Sequence, residues 1–230
     1  GDNALDGTTT NAHTGTIAIG HQSLTSCTSG GSNTAIGYQS GYLTDVNYSN
    51  VFIGYTAGYA ADNATTAANE NVYIGAQSGK NLDDGANNVA VGYQAMARVD
   101  AGTGNNATNS VGIGWKALSQ IISGDNNVAV GYNAIPVLTT GATNVVLGAN
   151  AGLALLTGNG NQLIGENTLR TSTAGANCVA IGSGALYTAN ENDNDGTIAI
   201  GNQAGNVQAC TGGAQYVGAQ VWIGYNAGLA

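Results

Sequence analysis

Glu191, Asp193 and Asp195 stand at alternate positions of the stretch ENDNDG, residues 191–196. Carboxylates at this spacing open many calcium loops, because a hard cation draws oxygen ligands from the first, third and fifth residues of a turn relieved by glycine. The pattern then stops. The twelfth position is Asn202 where a bidentate Glu is required, and Ile198 and Ile200 already belong to an alternating apolar run. A solvated acidic loop is the first reading, and Ca²⁺ is the one cofactor the chain suggests. The other reactive residue types are scattered. His13 and His21 both lie near the start, and no nucleophile, base and orienting acid recur at a recognisable spacing. Glu166 is the one carboxylate embedded in a repeated phrase, so paired acids for glycoside cleavage are missing. Cys27, Cys178 and Cys210 form no CxxC pair, which argues against a zinc or redox site. No catalytic residue is expected, and the chain does not read as an enzyme.

The aromatic residues are better ordered. Tyr38, Tyr55, Tyr93, Trp115, Tyr132 and Tyr225 each follow a glycine in a recurring phrase, so on stacked elements they would form an interrupted column. Such a column can take a sugar face, but packing between chains is the stronger reading. Phe52, Tyr73 and Trp222 replace an alanine two residues before that glycine. A position that accepts Ala, Phe, Tyr and Trp reads as lying outside a tight core. These three, with Trp115, are therefore the candidate ligand or receptor contacts.

The elements that position these residues are twelve copies of one phrase, from TIAIGHQSL through NVAVGYQAM and NVAVGYNAI to QVWIGYNAG. Their anchor glycines are Gly20, Gly37, Gly54, Gly75, Gly92, Gly114, Gly131, Gly148, Gly165, Gly182, Gly201 and Gly224, mostly seventeen residues apart. A fixed short period means that no unit can bury its apolar side alone and each must stack on its neighbours. The residue before the glycine is Ile, Val or Leu in every copy, and the one three before is Val or Ile except at Thr34 and Gln162. The two positions share a parity, and the segment is short and β-branched, so it reads as a strand with an inward ladder. On that reading Ile53→Asp, which would bury an unpaired charge, breaks the rod. Asparagine four residues before the glycine suits the turn into each strand and can build an amide ladder between coils. Lengthened intervals, including DNATTAANEN and DAGTGNNATNS, read as loops leaving the stack.

The fold expected is therefore all-β: a β-solenoid, or β-roll, of about twelve 17-residue coils and roughly 55 Å of rod, forming one repeat domain over residues 1–230. The chain ends inside a repeat, so it reads as a segment of a longer fibre. Small residues three places after the glycine, among them Ala57, Ala95, Ala117 and Ala134, suggest a second face that packs against copies of the chain, with a threefold axis as the expected arrangement.

Composition removes other classes. Thirty-seven glycines without triplet register exclude collagen. The net charge is −9, and the only cations, Lys80, Arg98, Lys116 and Arg170, look dispersed. Neither nucleic acid nor an anionic membrane surface is an expected partner. No apolar run is long enough to span a membrane, and no signal peptide is visible at the start.

The phrase NTAIGYQSG and its relatives resemble the Asn-x-Ala-Ile-Gly repeats of trimeric autotransporter adhesin heads, and more closely those of bacteriophage tail fibres that carry a C-terminal self-cleaving chaperone. The resemblance covers nearly the whole chain, although adhesin heads of this type have a somewhat shorter repeat. It implies a trimeric left-handed β-roll, extracellular or on a virion, that binds or projects toward a cell surface. The function expected is a tail-fibre shaft or receptor-binding region that displays a host contact area, with a surface polysaccharide or protein as receptor. The alternative is a purely structural, self-assembling extracellular filament.

Overall fold

The computed structural model describes residues 1–7, 13–43, 48–59, 69–82, 84–98, 106–188, 195–206 and 219–228. Twelve three-residue strands follow one another: β1 (Ile17–Ile19), β2 (Thr34–Ile36), β3 (Val51–Ile53), β4 (Val72–Ile74), β5 (Val89–Val91), β6 (Val111–Ile113), β7 (Val128–Val130), β8 (Val145–Leu147), β9 (Gln162–Ile164), β10 (Val179–Ile181), β11 (Ile198–Ile200) and β12 (Val221–Ile223). They form a single sheet in sequence order, every neighbouring pair parallel. The chain is an all-β solenoid. Register never slips: Val51 pairs with Val72, Val89 with Val111, Val179 with Ile198 and Ile198 with Val221 across the four longer intervals just as Ile17 pairs with Thr34 across seventeen residues. The longer intervals therefore do not displace the stack. The inserted stretches themselves, including residues 60–68 and 99–105, lie outside the described residues.

Glycine ends each strand for two reasons. The anchors hold φ between +121° and +152°, a range that a residue with a Cβ avoids. From Gly20 to Gly201, a Cβ would also stand 2.3–2.8 Å from the carbonyl oxygen of the next anchor, so the glycines stack too closely for any side chain. The turn that follows is tied from coil to coil in both directions. The Gln39 N–H donates back to the His21 carbonyl at 3.0 Å, and the Gly41 N–H donates forward to that of Ala57 at 2.9 Å.

The interior reverses the phase expected from the apolar ladder. The middle residue of the strand points inward, and Ala35, Phe52, Tyr73, Ala90, Ala129, Val146, Leu163, Ala180 and Ala199 are all buried. The Ile and Val on either side point outward. Each strand has only three residues, and the turn brings the positions three and four after the glycine back to face the middle one. The interior thus has room for one strand residue per coil. Ala57, Ala95, Ala117, Ala134, Ala151, Ala185 and Ala204, expected on an outer packing face, are part of this core.

The tolerance for large residues at the middle position comes from compensation across the coil. Phe52, Tyr73 and Trp222 are each followed six residues later by glycine: Gly58, Gly79 and Gly228. A Cβ there would lie 2.5 Å from Phe52, 2.3 Å from Tyr73 and 2.6 Å from Trp222. Where the middle residue is Ala90, Gly112, Ala129 or Ala180, the facing residue is instead Met96, Leu118, Ile135 or Leu186, each fully buried. The exchange is shared between coils: Gly41 and Gly205 follow the alanines Ala35 and Ala199, and there the large ring of the next coil, Phe52 or Trp222, takes up the space, whereas Leu163 is followed by Leu169.

The asparagines form the expected ladder, but inside the roll. Asn33, Asn50, Asn71, Asn88, Asn127, Asn144 and Asn161 are fully buried. Their Oδ1 atoms accept the backbone N–H of the equivalent residue on the next coil at 2.9–3.0 Å. From Asn71 onward Nδ2 also donates across the coil, as from Asn144 to the Gly158 carbonyl at 2.9 Å. Ser110 and Cys178 occupy the same slot, and the Ser110 hydroxyl carries the ladder on to Asn127. The left-handed backbone belongs to the residue before the asparagine, as at Asn87, Asn126 and Thr143.

Candidate functional site

The outer face of the sheet is apolar along most of its length, with Thr34 on β2 and Gln162 on β9 as the polar exceptions. In the interior strands Ile74, Ile113, Val145, Leu147 and Ile164 are 37–39% exposed, while the end strands β1 and β12 expose their Ile and Val at 49–68%. Beside this double ladder run the aromatics that follow the anchor glycines, all exposed. Tyr38 stacks on Tyr55 with centroids 5.4 Å apart, Tyr93 on Trp115 at 6.3 Å and Trp115 on Tyr132 at 4.8 Å. His21 meets Tyr38 edge-on at the start of the column. Ala76 breaks it between Tyr55 and Tyr93, and Ala149 ends its central run after Tyr132. The glycine bend therefore turns this position outward.

The candidate contacts fare unequally. Phe52 and Tyr73 are 2% exposed, so neither can meet a receptor; the compensating glycines draw both rings into the core. Trp222 is partly exposed but packs on the core against Gly205 and Gly228. Trp115 remains accessible and carries Lys116 Nζ 4.5 Å above its ring. Burial pushes the Tyr73 phenol above its usual range; the Asn88 side chain near the hydroxyl pulls weakly the other way but makes no well-formed hydrogen bond with it.

Of the acidic loop, Glu191 and Asp193 lie outside the described residues. Asp195 Oδ1 accepts the Ala176 N–H at 2.8 Å, as Asp125 accepts that of Thr108 and Asn159 that of Ala142 in the same slot of other coils. The carboxylate thus has a structural task that elsewhere an amide performs. No group of three His, Cys, Asp or Glu able to hold a metal occurs among the described residues. Cys27 Sγ lies 3.9 Å from His13 Nδ1, a pairing that could activate a thiol, but Cys27 is fully buried and closed to substrate. Burial likewise pushes the Cys178 thiol up to about 12.

The cations are not dispersed. Lys80, Arg98 and Lys116 line one concavity on the turns of three consecutive coils, while Arg170 stands apart over the Tyr187 ring. Chain numbering hides the grouping, which appears once each residue is placed on its coil. The surface thus offers two things: a long apolar and aromatic strip on the strands, and a small cationic hollow on the turns. No helix long and apolar enough to cross a membrane occurs among the described residues. No protein-family model, curated protein or solved structure matches the chain.

Proposed function

We propose that this chain is a segment of an extracellular fibre, a phage tail-fibre shaft or an adhesin rod, whose copies assemble along the outward Ile/Val ladder and display their turns to a host surface. The observation that carries the reading is the long apolar strip, in which Thr34 and Gln162 are the polar residues of the outward strand positions. Twelve strands about 4.8 Å apart, and about five residues of width including the column after the glycines, span on the order of 700 Å², most of it apolar, with Thr34, Gln162, Glu166, Ser183 and Asn202 as polar breaks. The apolar part is at least as large as the ~300–600 Å² of the largest apolar patch on an ordinary monomer, against the ~800 Å² per partner of a stable interface. A second copy of the same chain offers a matching strip of the same length and repeat. The resemblance to trimeric fibres supports three copies around one axis. The aromatic column then flanks the seam, and recognition falls to the turn faces.

Display on a rigid stack suits binding without turnover, with many weak contacts acting together. The test is to incubate the labelled, assembled protein with candidate bacterial cells and their purified surface polysaccharide. Adhesion with the polysaccharide left at full length is the expected result. Shortened polysaccharide would replace this reading with a hydrolase or lyase, and adhesion to no cell would leave only the structural filament.

A further inference from the structure

The coil of β9 is the exception in the outward strip. Gln162 is the one amide among the outward strand positions, and Glu166 is the one carboxylate in the column after the anchor glycines. Both fall on the same coil, at the two edges of the same five-residue span, and both are exposed. Asn167 Nδ2 donates to Glu166 Oε1 at 3.2 Å, which steadies the carboxylate beside the sheet. The strand itself is regular: Gln162 pairs with Val145 and Val179, and Ile164 with Leu147 and Ile181. The two residues thus interrupt the apolar surface without interrupting the fold.

Gln162 and Glu166 cannot meet within one chain, because four residues of nearly extended backbone hold them roughly 13 Å apart. A second copy brings them together. Where two strips related by an axis parallel to the rod meet with their coils level, the end of one strand lies against the start of its neighbour's. Three copies fit this arrangement by dimension. Packed sheets stand about 10 Å apart, so each lies about 5 Å from the centre of a shared core. An equilateral triangle drawn around that centre has sides of about 17 Å, the length of five extended residues at about 3.3 Å each. The strip of each copy then forms one side, filled by the outward Ile and Val. Each corner joins the position after glycine in one copy to the first strand position of the next, which at β9 sets Glu166 against Gln162. An amide donating to a carboxylate makes a charge-assisted hydrogen bond. The carboxylates at the three corners stand about 17 Å apart, beyond the ~8–10 Å over which salt leaves charges coupled.

The rest of the strip does not choose a register. Its apolar contacts recur with every coil, so two strips displaced by one coil, about 4.8 Å, keep nearly all of their contact area. Displacement sets Glu166 against Val145 or Val179, and Gln162 against Ala149 or Ser183. A carboxylate is then covered by valine with no amide to donate to it, which is costly. In coiled coils a single polar position in an apolar seam fixes register in this way, at some cost in stability. We infer that the coil of β9 is the register lock between copies of this chain: the Gln162 amide of one copy donates to the Glu166 carboxylate of the next and holds parallel chains with their coils level. The inference deepens the assembly reading and rests on it.

The test is oxidative cross-linking of the assembled protein, with Cys27→Ala, Cys178→Asn and Cys210→Ala removing the native thiols and circular dichroism monitoring the fold. One variant adds Val179→Cys with Ser183→Cys, which meet across copies when the coils are level. Two others, Val179→Cys with Asn202→Cys and Ile198→Cys with Ser183→Cys, meet after a slip of one coil. Within a chain each pair stands roughly 13 Å apart, beyond the ~7 Å that a disulfide spans. The level pair should give covalent trimers, with at least about tenfold less product from each slipped pair. Adding Gln162→Val with Glu166→Tyr, the pairing used at Val89 and Tyr93, should keep the mass of the assembly and bring slipped and level products to comparable amounts. A readout without added cysteines is the concentration at which the assembly dissociates: Gln162→Lys should lower it and Gln162→Glu raise it, each by about tenfold. Equal level and slipped products with Gln162 and Glu166 intact, no level product, a register that survives both replacements, or shifts in the same direction for Lys and Glu would overturn the lock while the assembly stands. A wild type of single-chain mass in light scattering would remove the assembly, and the lock with it.

Discussion

The volume exchange across the coil predicts that two damaging substitutions, Tyr73→Ala and Gly79→Leu, partly repair one another. Alone, Tyr73→Ala removes a ring that is 2% exposed and leaves a cavity, a change worth about 3–5 kcal/mol. Losing a buried hydroxyl without a partner returns about 1 kcal/mol of that. Gly79→Leu alone places a Cβ 2.3–2.5 Å from the Tyr73 ring atoms, at a φ of +59°. Overpacking and left-handed strain together cost about 2–5 kcal/mol. The double variant recreates a pairing already present elsewhere, a small strand residue facing a long one, as in Ala90 with Met96. Leucine already occupies this turn position at positive φ in Leu24, Leu118, Leu169 and Leu186. The double variant should therefore be about 2–3 kcal/mol more stable than the sum of the single effects. Urea unfolding followed by far-ultraviolet circular dichroism, at one fixed chain concentration, measures this. Effects that add within about 0.5 kcal/mol would refute the exchange. A Tyr73→Ala change within about 0.5 kcal/mol of wild type would place residue 73 on the surface.

The hydroxyl of Tyr73 gives a second expectation: Tyr73→Phe, the ring used at Phe52, raises stability by about 1 kcal/mol in the same assay, and a loss of stability would contradict it. Asn144→Ala leaves the Asn161 N–H and the Gly158 carbonyl without their partner and costs about 2–5 kcal/mol, whereas Asn144→Ser, the residue used at Ser110, costs less; equal losses would show that the ladder carries no weight. Cys178 has its folded pKa raised from 9.0 to about 12, so its contribution to stability is complete below pH 9 and is lost as pH rises from there toward 12. Iodoacetamide labelling of Cys178, mapped by peptide mass, should be negligible in the native protein at pH 8 and complete in urea; rapid native labelling would contradict its burial.

The period of seventeen made the coil count, the parallel register and the glycine bends legible before any coordinates. What misled was the equation of apolar with inward. Ile17 and Ile19 are the most hydrophobic residues of their strand, yet the coil is too narrow to hold both, and they face out. A sign of the correct phase stood in residues six apart: Phe52 with Gly58, Tyr73 with Gly79 and Ala129 with Ile135 trade volume, while Ala35 with Gly41 and Ala199 with Gly205 leave space that Phe52 and Trp222 of the next coil fill. The cationic hollow was legible in principle, because Lys80, Arg98 and Lys116 fall on successive coils, but it needed their offsets from the anchor glycine rather than their separation along the chain. The position of Cys178 in the asparagine slot was readable directly, since it lies four residues before Gly182.

The orientation of the ladder is tested most directly by the mass and fold of Ile53→Asp and of the pair Ile113→Lys/Ile164→Lys, measured by light scattering after size exclusion and by circular dichroism. The outward ladder predicts a wild-type mass that is a multiple, three by the proposed assembly, of the 22.7 kDa chain. It predicts variants that keep the solenoid spectrum but fall toward the mass of a single chain. A wild type that already runs at 22.7 kDa, or variants that lose the fold outright, would contradict it.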